Sequence, residues 1–366
     1  MRILQVIDSL RVGGAEVLVK DISMRLRTLG YECDVAMLLR SGSAIEASLE
    51  DAGVPLHDTG VNKIYSIRQV LPLARLIRGY DIVHVHLFPA QLWVALAARL
   101  GKPVPLVITE HNTWNARRDR PWLRPLDSWT YKQYETIACN SQATAEALVK
   151  WCPHVLHKVR VIPNGIPLEL FATAKPAELD MVPRDVPKVV FVARFEPQKD
   201  HATLLRAFAK IKTRNAQLLL VGDGPLRPQL HQLACNLGIE ARVTFLGLRS
   251  DVPRILKAAD VYVHSTISDG FGIAACEAMA AGLPVIATDV PGLADVVGNA
   301  GALVPIGDDE ALARELQSVL ASPDRRLKMR LLGQERVKLF SIEQTTALHV
   351  DLYRSVLGQQ HSKEMS

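Results

Sequence analysis

The chain has 366 residues, of which 48% are hydrophobic and 22% charged, with a formal net charge of +5. That length suits two domains, each with its own core. The mild charge argues against a nucleic-acid partner, whose binding faces are far more densely basic, and favours anionic small molecules or an anionic membrane face.

Met1 to Ile7 is largely apolar but meets Asp8 at once, so it reads as a first strand rather than a signal peptide. Gly13-Gly14 follows, then a helical pattern from Ala15 to Leu29 that stops at Gly30. Further strands are expected at Cys33 to Leu39, Asp81 to His86, Leu106 to Thr109, Thr136 to Cys139 and Val159 to Ile162. Asn140-Ser141 is placed to cap a helix over Gln142 to Trp151, and Pro163-Asn164-Gly165 marks a turn. Between Pro167 and Pro187, prolines interrupt the rhythm, so this stretch is expected to be an interdomain linker. The alternation then restarts, with strands expected at 188–192, 217–221, 242–245, 261–265 and 284–287. Continuous apolar strands alternating with helices imply parallel sheets covered on both faces. The expected fold is α/β, with two Rossmann-like domains: residues 1–168 plus a C-terminal helix over 342–366, and residues 169–341. Leu348, Leu352 and Val356 would face the first domain from that helix. The polar tail after Gly358 is expected to fray.

No uncharged run reaches the roughly 20 residues of a bilayer span, so a cytoplasmic chain is expected, soluble or at the membrane's cytoplasmic face. Cys33, Cys139, Cys152, Cys235 and Cys276 are scattered, without a Cys-x-x-Cys pair. They are read as buried free thiols, and neither a disulfide framework nor a zinc site is expected.

Ligands of open parallel sheets bind beyond the carboxyl ends of strands, so residues that follow strands matter most. Ser268-Asp269-Gly270-Phe271-Gly272-Ile273 opens an alanine-rich helix that carries Glu277. Backbone N–H groups at Gly272 and Ile273 would face an anion, helped by the helix dipole. A carboxylate at Asp269 or Glu277 could accept from two adjacent hydroxyls of a sugar or ribose. Helix capping is the alternative for Asp269, and plain exposure for Glu277. Arg194 and Lys199 lie five residues apart after another strand, and both suit phosphate. His111 follows the strand at 106–109 and could donate to a hydroxyl or shuttle protons; a purely local partner is the alternative. His84 is expected to be buried, and His86 to lie at the strand end nearer a ligand. Gly13 and Gly14 would let the backbone approach a ligand, or simply make the turn.

Read together, Asp269 to Glu277 resembles the signature of the family 4 retaining glycosyltransferases. Val192 to Asp200, Val221-Gly222-Asp223-Gly224-Pro225-Leu226, Phe245-Leu246-Gly247, Val161 to Ile166 and Gly13-Gly14-Ala15-Glu16 match other stretches of that family in the same order. The resemblance implies a glycosyltransferase-B fold, two domains facing across a cleft, with the last helix crossing back to the first. It implies that Arg194, Lys199, Gly14, Gly272 and Ile273 bind the donor diphosphate and that Glu277 binds the ribose. Asp269, Gly270 and Phe271 would hold the transferred sugar, with His111 and Asp269 as the catalytic pair. Family members more often carry Glu where Asp269 stands, which sets the carboxylate back by about 1.5 Å.

The expected reaction is metal-independent, retaining transfer from a nucleotide-sugar, UDP-linked on family frequency, with no cofactor. The acceptor would be a glycan or lipid-linked molecule of surface polysaccharide or glycolipid assembly. Trp114, Arg117, Arg118, Arg120, Trp122, Arg124, Trp129, Tyr131, Lys132 and Tyr134 fit three roles equally: a membrane or lipid-pyrophosphate surface, a sugar-stacking groove, or a helix core. A nicotinamide oxidoreductase is disfavoured because the first turn, Asp8 to Ala15, lacks Gly-x-Gly-x-x-Gly. A non-catalytic sugar-nucleotide-binding module and a sugar-nucleotide epimerase remain as competing readings.

Overall fold

The structure, a computed structural model, describes residues 1–364 apart from Val12, Lys102 and Arg184, with side chains described to Gln359. It divides into two units: residues 1–165 with 342–366, and residues 166–341.

The first unit is built on a seven-stranded parallel sheet. Its strands are β1 (Arg2–Ile7), β2 (Glu32–Met37), β3 (Leu56–Asp58), β4 (Ile82–His86), β5 (Leu106–Glu110), β6 (Thr136–Cys139) and β7 (Val159–Val161). They run in the order β3-β2-β1-β4-β5-β6-β7. The central strands β4 and β5 are buried along their whole length, as strands covered by helices on both faces must be. The helix Gly14–Thr28 follows β1, and Ser141 caps the helix Gln142–Trp151 by accepting from the Thr144 N–H, as its sequence suggested.

The second unit carries six parallel strands: β8 (Lys188–Val192), β9 (Gln217–Val221), β10 (Val243–Gly247), β11 (Val261–His264), β12 (Val285–Thr288) and β13 (Ala302–Val304). Their order is β10-β9-β8-β11-β12-β13. Each sheet therefore reverses its strand order once, between β1 and β4 in the first and between β8 and β11 in the second.

Several expectations need correction. The stretch 167–187 is no bare linker: the helix Leu168–Ala172 lies in it, and Phe171 and Val182 are buried in the second unit's core. The Ala177 N–H donates to the Arg254 carbonyl, so this stretch is fastened to that unit. The last helix, Ile342–Glu364, continues past Gly358. Its packed face is also shifted. Leu348 is 39% exposed, while His349, Val350, Leu352, Tyr353 and Val356 are buried. Their spacing of three and four is that of a helical stripe, and polar residues within it hid the stripe from a search for apolar spacing. Cys235 is exposed, unlike the other four cysteines. Among the described residues, no helix is long and apolar enough to cross a membrane.

Candidate functional site

The reversal between β8 and β11 is where an open parallel sheet forms its ligand crevice. Two predicted segments flank it, one after each strand. After β8 the chain passes Arg194 and makes a tight turn over Pro197–Lys199. Asp200 then takes a left-handed conformation at φ 39° and caps the helix His201–Lys210 by accepting from the Thr203 N–H. Gln198 fastens this loop to the one after β11. Its carbonyl accepts from the Ile267 N–H (2.9 Å) and the Thr266 hydroxyl (2.8 Å), and its side-chain amide donates to the Ser268 carbonyl (2.9 Å). Thr288, at the end of β12, donates to the Thr266 carbonyl (2.7 Å). Three strand ends are thus tied into one platform.

On that platform Lys199 and Asp269 meet. The Lys199 ammonium donates to Asp269 Oδ2 at 2.6 Å, and His264 Nε2 lies 3.2 Å from the same oxygen. Asp269 Oδ1 accepts from the backbone N–H groups of Phe271 (3.1 Å) and Gly272 (2.9 Å). Burial pushes the Asp269 pKa up, but His264 and Lys199 outweigh it and hold the carboxyl well below the usual range. The carboxylate is therefore ionised and fully bonded.

This geometry changes three assignments. The Gly272 N–H, expected to face a ligand anion, faces the Asp269 carboxylate, so Asp269 caps the turn into the helix Ile273–Ala281. Lys199, expected to bind the donor diphosphate, is ion-paired to Asp269. The Phe271 side chain, expected at the sugar, is buried edge-on against Phe340, with ring centroids 5.4 Å apart, so it is core. Gly272 itself is required by packing: its φ is +87°, and a Cβ there would lie 2.4 Å from Leu293 Cδ1. The Gly270 carbonyl lies against Gly292, where a Cβ would come within 2.5 Å of it.

Arg194 and the start of the helix Ile273–Ala281 are the groups more open to a ligand. The Arg194 side chain is 60% exposed and, among the described residues, pairs only with Glu196, at 3.1 Å. Among the described residues, none accepts from the N–H of Ile273 or Ala274 at the helix start. In this helix Ile273, Ala274 and Glu277 form the half-buried stripe, while the positions around them are buried. Residues four apart share a helix face, so Glu277 sits one turn below the open N–H groups. Gly222 and Gly224, in the turn after β9, have a structural task. A Cβ at Gly222 would lie 2.0 Å from the Ala193 carbonyl, and one at Gly224 would lie 2.6 Å from that of Phe195. Bare glycine backbone is what lets this turn brace the loop carrying Arg194.

In the first unit, His111 directly follows β5 and is 8% exposed. Its Nε2 lies 3.1 Å from His86 Nδ1. Burial lowers its pKa to about 4, so it is neutral at physiological pH, and the expected proton shuttle near neutrality does not hold. His86, expected near a ligand, is fully buried, as is His84. Gly14 is the first residue of its helix, with Gly13 as an extended N-cap. Asp8, at the end of β1, accepts from the Ala90 N–H at 2.7 Å. Burial raises its pKa to about 7, and Glu16 adds to the effect. The aromatic segment is divided. Tyr131 and Tyr134 are core, whereas Trp114 and Trp122 are 52% and 71% exposed. Sequence reasoning missed His264, Gln198 and Thr266; a histidine closing a strand five residues before Asp269 was the available signal.

Two family models cover most of the chain: "Glycosyl transferases group 1" matches residues 181–336 and "Glycosyltransferase Family 4" residues 12–170. The lipopolysaccharide core biosynthesis glycosyltransferase LpsE of Rhizobium meliloti is 33% identical over 62% of this chain, an alignment spanning 66% of that relative. The D-inositol 3-phosphate glycosyltransferase of Saccharomonospora viridis is 31% identical over 76% of this chain and 71% of its own length. Among solved structures, Anabaena HepE in complex with UDP-glucose superposes with a TM-score of 0.85 at 22% identity, covering 97% of this chain and 100% of that one. WaaG, a glycosyltransferase involved in lipopolysaccharide biosynthesis, gives 0.76 at 16% identity, covering 96% and 99%. These likenesses establish the glycosyltransferase-B fold, and the chain belongs to the family 4, group 1 glycosyltransferases.

Proposed function

We propose that this glycosyltransferase takes its sugar from a UDP-sugar and transfers it, without a metal and with retention, to a glycan or lipid-linked acceptor of surface polysaccharide or glycolipid assembly. The observation that carries the reading is the platform at the β8/β11 reversal. It offers an open guanidinium at Arg194, open N–H groups at Ile273 and Ala274, and Glu277 one turn below. Cationic and dipolar groups around one crevice suit a diphosphate, and a half-buried carboxylate suits a ribose diol. UDP as the carrier is supported by the complexes of Anabaena HepE, and the acceptor class by the lipopolysaccharide relatives. Residues 169–341 are assigned the donor and residues 1–168 the acceptor.

In this mechanism Arg194 and the helix start stabilise the diphosphate as its bond to the anomeric carbon breaks. The acceptor hydroxyl attacks from the same face, and its proton passes to the departing phosphate oxygen. Asp269 keeps Lys199 fixed as a positive charge beside the phosphates, with the Asp269–His264 pair bearing on the sugar. His111 takes a sugar hydroxyl, a role carried over from the family resemblance. An incubation with UDP-sugars and candidate acceptors in EDTA, followed by anomeric NMR, tests this: UDP release with an α product from an α donor is expected. Strict magnesium dependence or inversion would refute the respective part.

A further inference from the structure

Lys199 and His264 share one acceptor, Asp269 Oδ2, at 2.6 and 3.2 Å. His264 closes β11, and its side chain is only 3% exposed. On the other side of the ring, Nδ1 lies 3.3 Å from the Tyr262 hydroxyl. The Phe191 ring of β8 packs 5.5 Å away, centroid to centroid, and His201 of the next helix is close enough to feel a charge on His264. Glu277 and Cys276 bear on Tyr262 from the helix Ile273–Ala281.

These contacts fix the tautomer. Ionised Asp269 can only accept, so His264 Nε2 carries a proton, and in the neutral ring the bare Nδ1 accepts from the Tyr262 hydroxyl. The same contacts can also hold a charged ring. An imidazolium keeps Nε2–H on Asp269, and its second N–H donates to the Tyr262 oxygen, since a phenol hydroxyl both donates and accepts. His201, the other buried histidine of this unit, differs: neither of its ring nitrogens has a partner among the described residues. Burial holds the His264 pKa below its ordinary 6.5; the bond to Asp269 and its charge pull the other way, and the Lys199 charge adds to the lowering. Whatever offsets the Lys199 charge therefore favours a proton on His264. An ammonium has three donors, of which Asp269 takes one, so a diphosphate held by Arg194 can also engage Lys199 and offset its charge.

We propose that His264 takes up a proton from solvent when the donor diphosphate binds, so that the imidazolium gives Asp269 the positive charge that Lys199 then shares with the phosphates. The inference rests on the donor site lying at the β8/β11 reversal and adds a linked proton to it. His264 and Tyr262 are positioning residues: His264 keeps Asp269 paired, and Tyr262 accepts from the added N–H. Donor affinity then rises as pH falls through the window between the His264 pKa of the free chain and that of the complex.

Calorimetric titration of the full chain with UDP-glucose, whose bridged diphosphate has no group titrating near neutrality, counts these protons. It is run at about pH 6.5 in buffers of different ionisation enthalpy. Net proton uptake is expected in the wild type, with binding about three- to tenfold tighter at pH 6 than at pH 8. His264→Gln keeps an N–H for Asp269 but cannot become charged, so it should bind as the wild type does at pH 8 and lose both the uptake and the tightening. No uptake in the wild type, or the same uptake in the variant, overturns the proposal. A second measurement needs no nucleotide. Histidine ¹⁵N NMR against pH, with the His264 signals assigned by their loss in His264→Gln, should show a neutral Nε2–H ring near neutrality in the wild type. Lys199→Met removes the opposing charge and should move the His264 titration to higher pH; an unmoved or lowered titration contradicts the proposal. Failure of UDP-glucose to bind would refute the donor reading and this inference with it, whereas binding without proton uptake refutes this inference alone.

Discussion

Asp269→Asn separates what the carboxylate does for the fold from what it does for transfer. Asparagine keeps an acceptor at Oδ1 for the Phe271 and Gly272 N–H groups, at 3.1 and 2.9 Å. It places an amide NH2 where Oδ2 stood, 2.6 Å from the Lys199 ammonium and 3.2 Å from His264 Nε2. Lys199 is then left facing a donor with its side chain only 21% exposed. Breaking a buried ion pair on one side costs about 3–5 kcal/mol. Partial exposure of Lys199 lets water recover some of that, so about 2–3 kcal/mol is expected. That corresponds to a fall in Tm of roughly 4–12 °C for a unit of this size. Because Asp269 is held far below its unfolded pKa of about 3.9, its contribution is present above that value. It is lost as pH falls through the depressed folded value. The difference between wild type and variant should therefore be flat from about pH 5 to 9 and shrink in stronger acid. Urea denaturation across pH measures it. An unchanged midpoint, or a difference that widens in acid, would refute the reasoning. Lys199→Met in the same background should recover part of the loss. UDP affinity should change little while transfer is lost; unchanged transfer would leave Asp269 as a cap alone.

The other predictions concern different sites. Gly222→Ala sets a Cβ 2.0 Å from the Ala193 carbonyl at a φ of +134°, so a loss of more than about 3 kcal/mol, with weakened donor binding, is expected from denaturation and titration. Asp8 keeps its proton to about pH 7 in the folded chain, whereas the unfolded carboxyl ionises near 3.8, so wild-type stability falls as pH rises through that window. Asp8→Asn, which keeps the bond from the Ala90 N–H, should gain on the wild type from about pH 4 to 7 and then level off; a constant difference would count against it. His349 is buried, its Nδ1 has no partner among the described residues, and its pKa is lowered to about 3 from 6.5. The unfolded chain takes up that proton as pH falls below 6.5, so His349→Phe should gain about 2 kcal/mol more at pH 5 than at pH 7.5. Equal gains at both pH values would show that His349 titrates normally.

The long apolar strands were legible because burial on both faces leaves continuous hydrophobic runs, as in β1, β4, β8 and β9. The three-residue edge strands β3 and β13 were not, since so short a stretch carries no periodicity; β7, equally short, was legible because the Pro163-Asn164-Gly165 turn marks its end. The residue types of the candidate site were legible too: an acid, two glycines, Arg194, Lys199 and Glu277, each after a strand. Their pairing was not. Lys199 and Asp269 are 70 positions apart and meet only because β8 and β11 are neighbours in the sheet. The glycines of the turn after β9 were legible only as part of a family motif; a backbone carbonyl packed against each explains them, and spacing alone cannot encode that approach. The histidines told a similar story. The sequence showed His84 and His86 on one strand, but their partners Gln5 and Tyr353 come from opposite ends of the chain.

The most direct measurement is calorimetric titration of the full chain and of Arg194→Ala with UDP, GDP and ADP. Arg194 is largely exposed with one local partner, so the variant should fold with an unchanged Tm. The wild type should bind UDP saturably in preference to GDP and ADP. Loss of a charge-assisted contact of about 1.5–3 kcal/mol should weaken the variant roughly ten- to a hundredfold. Failure of all three nucleotides to bind the wild type, or equal UDP affinity in the variant, would contradict the placement of the donor site at the β8/β11 reversal.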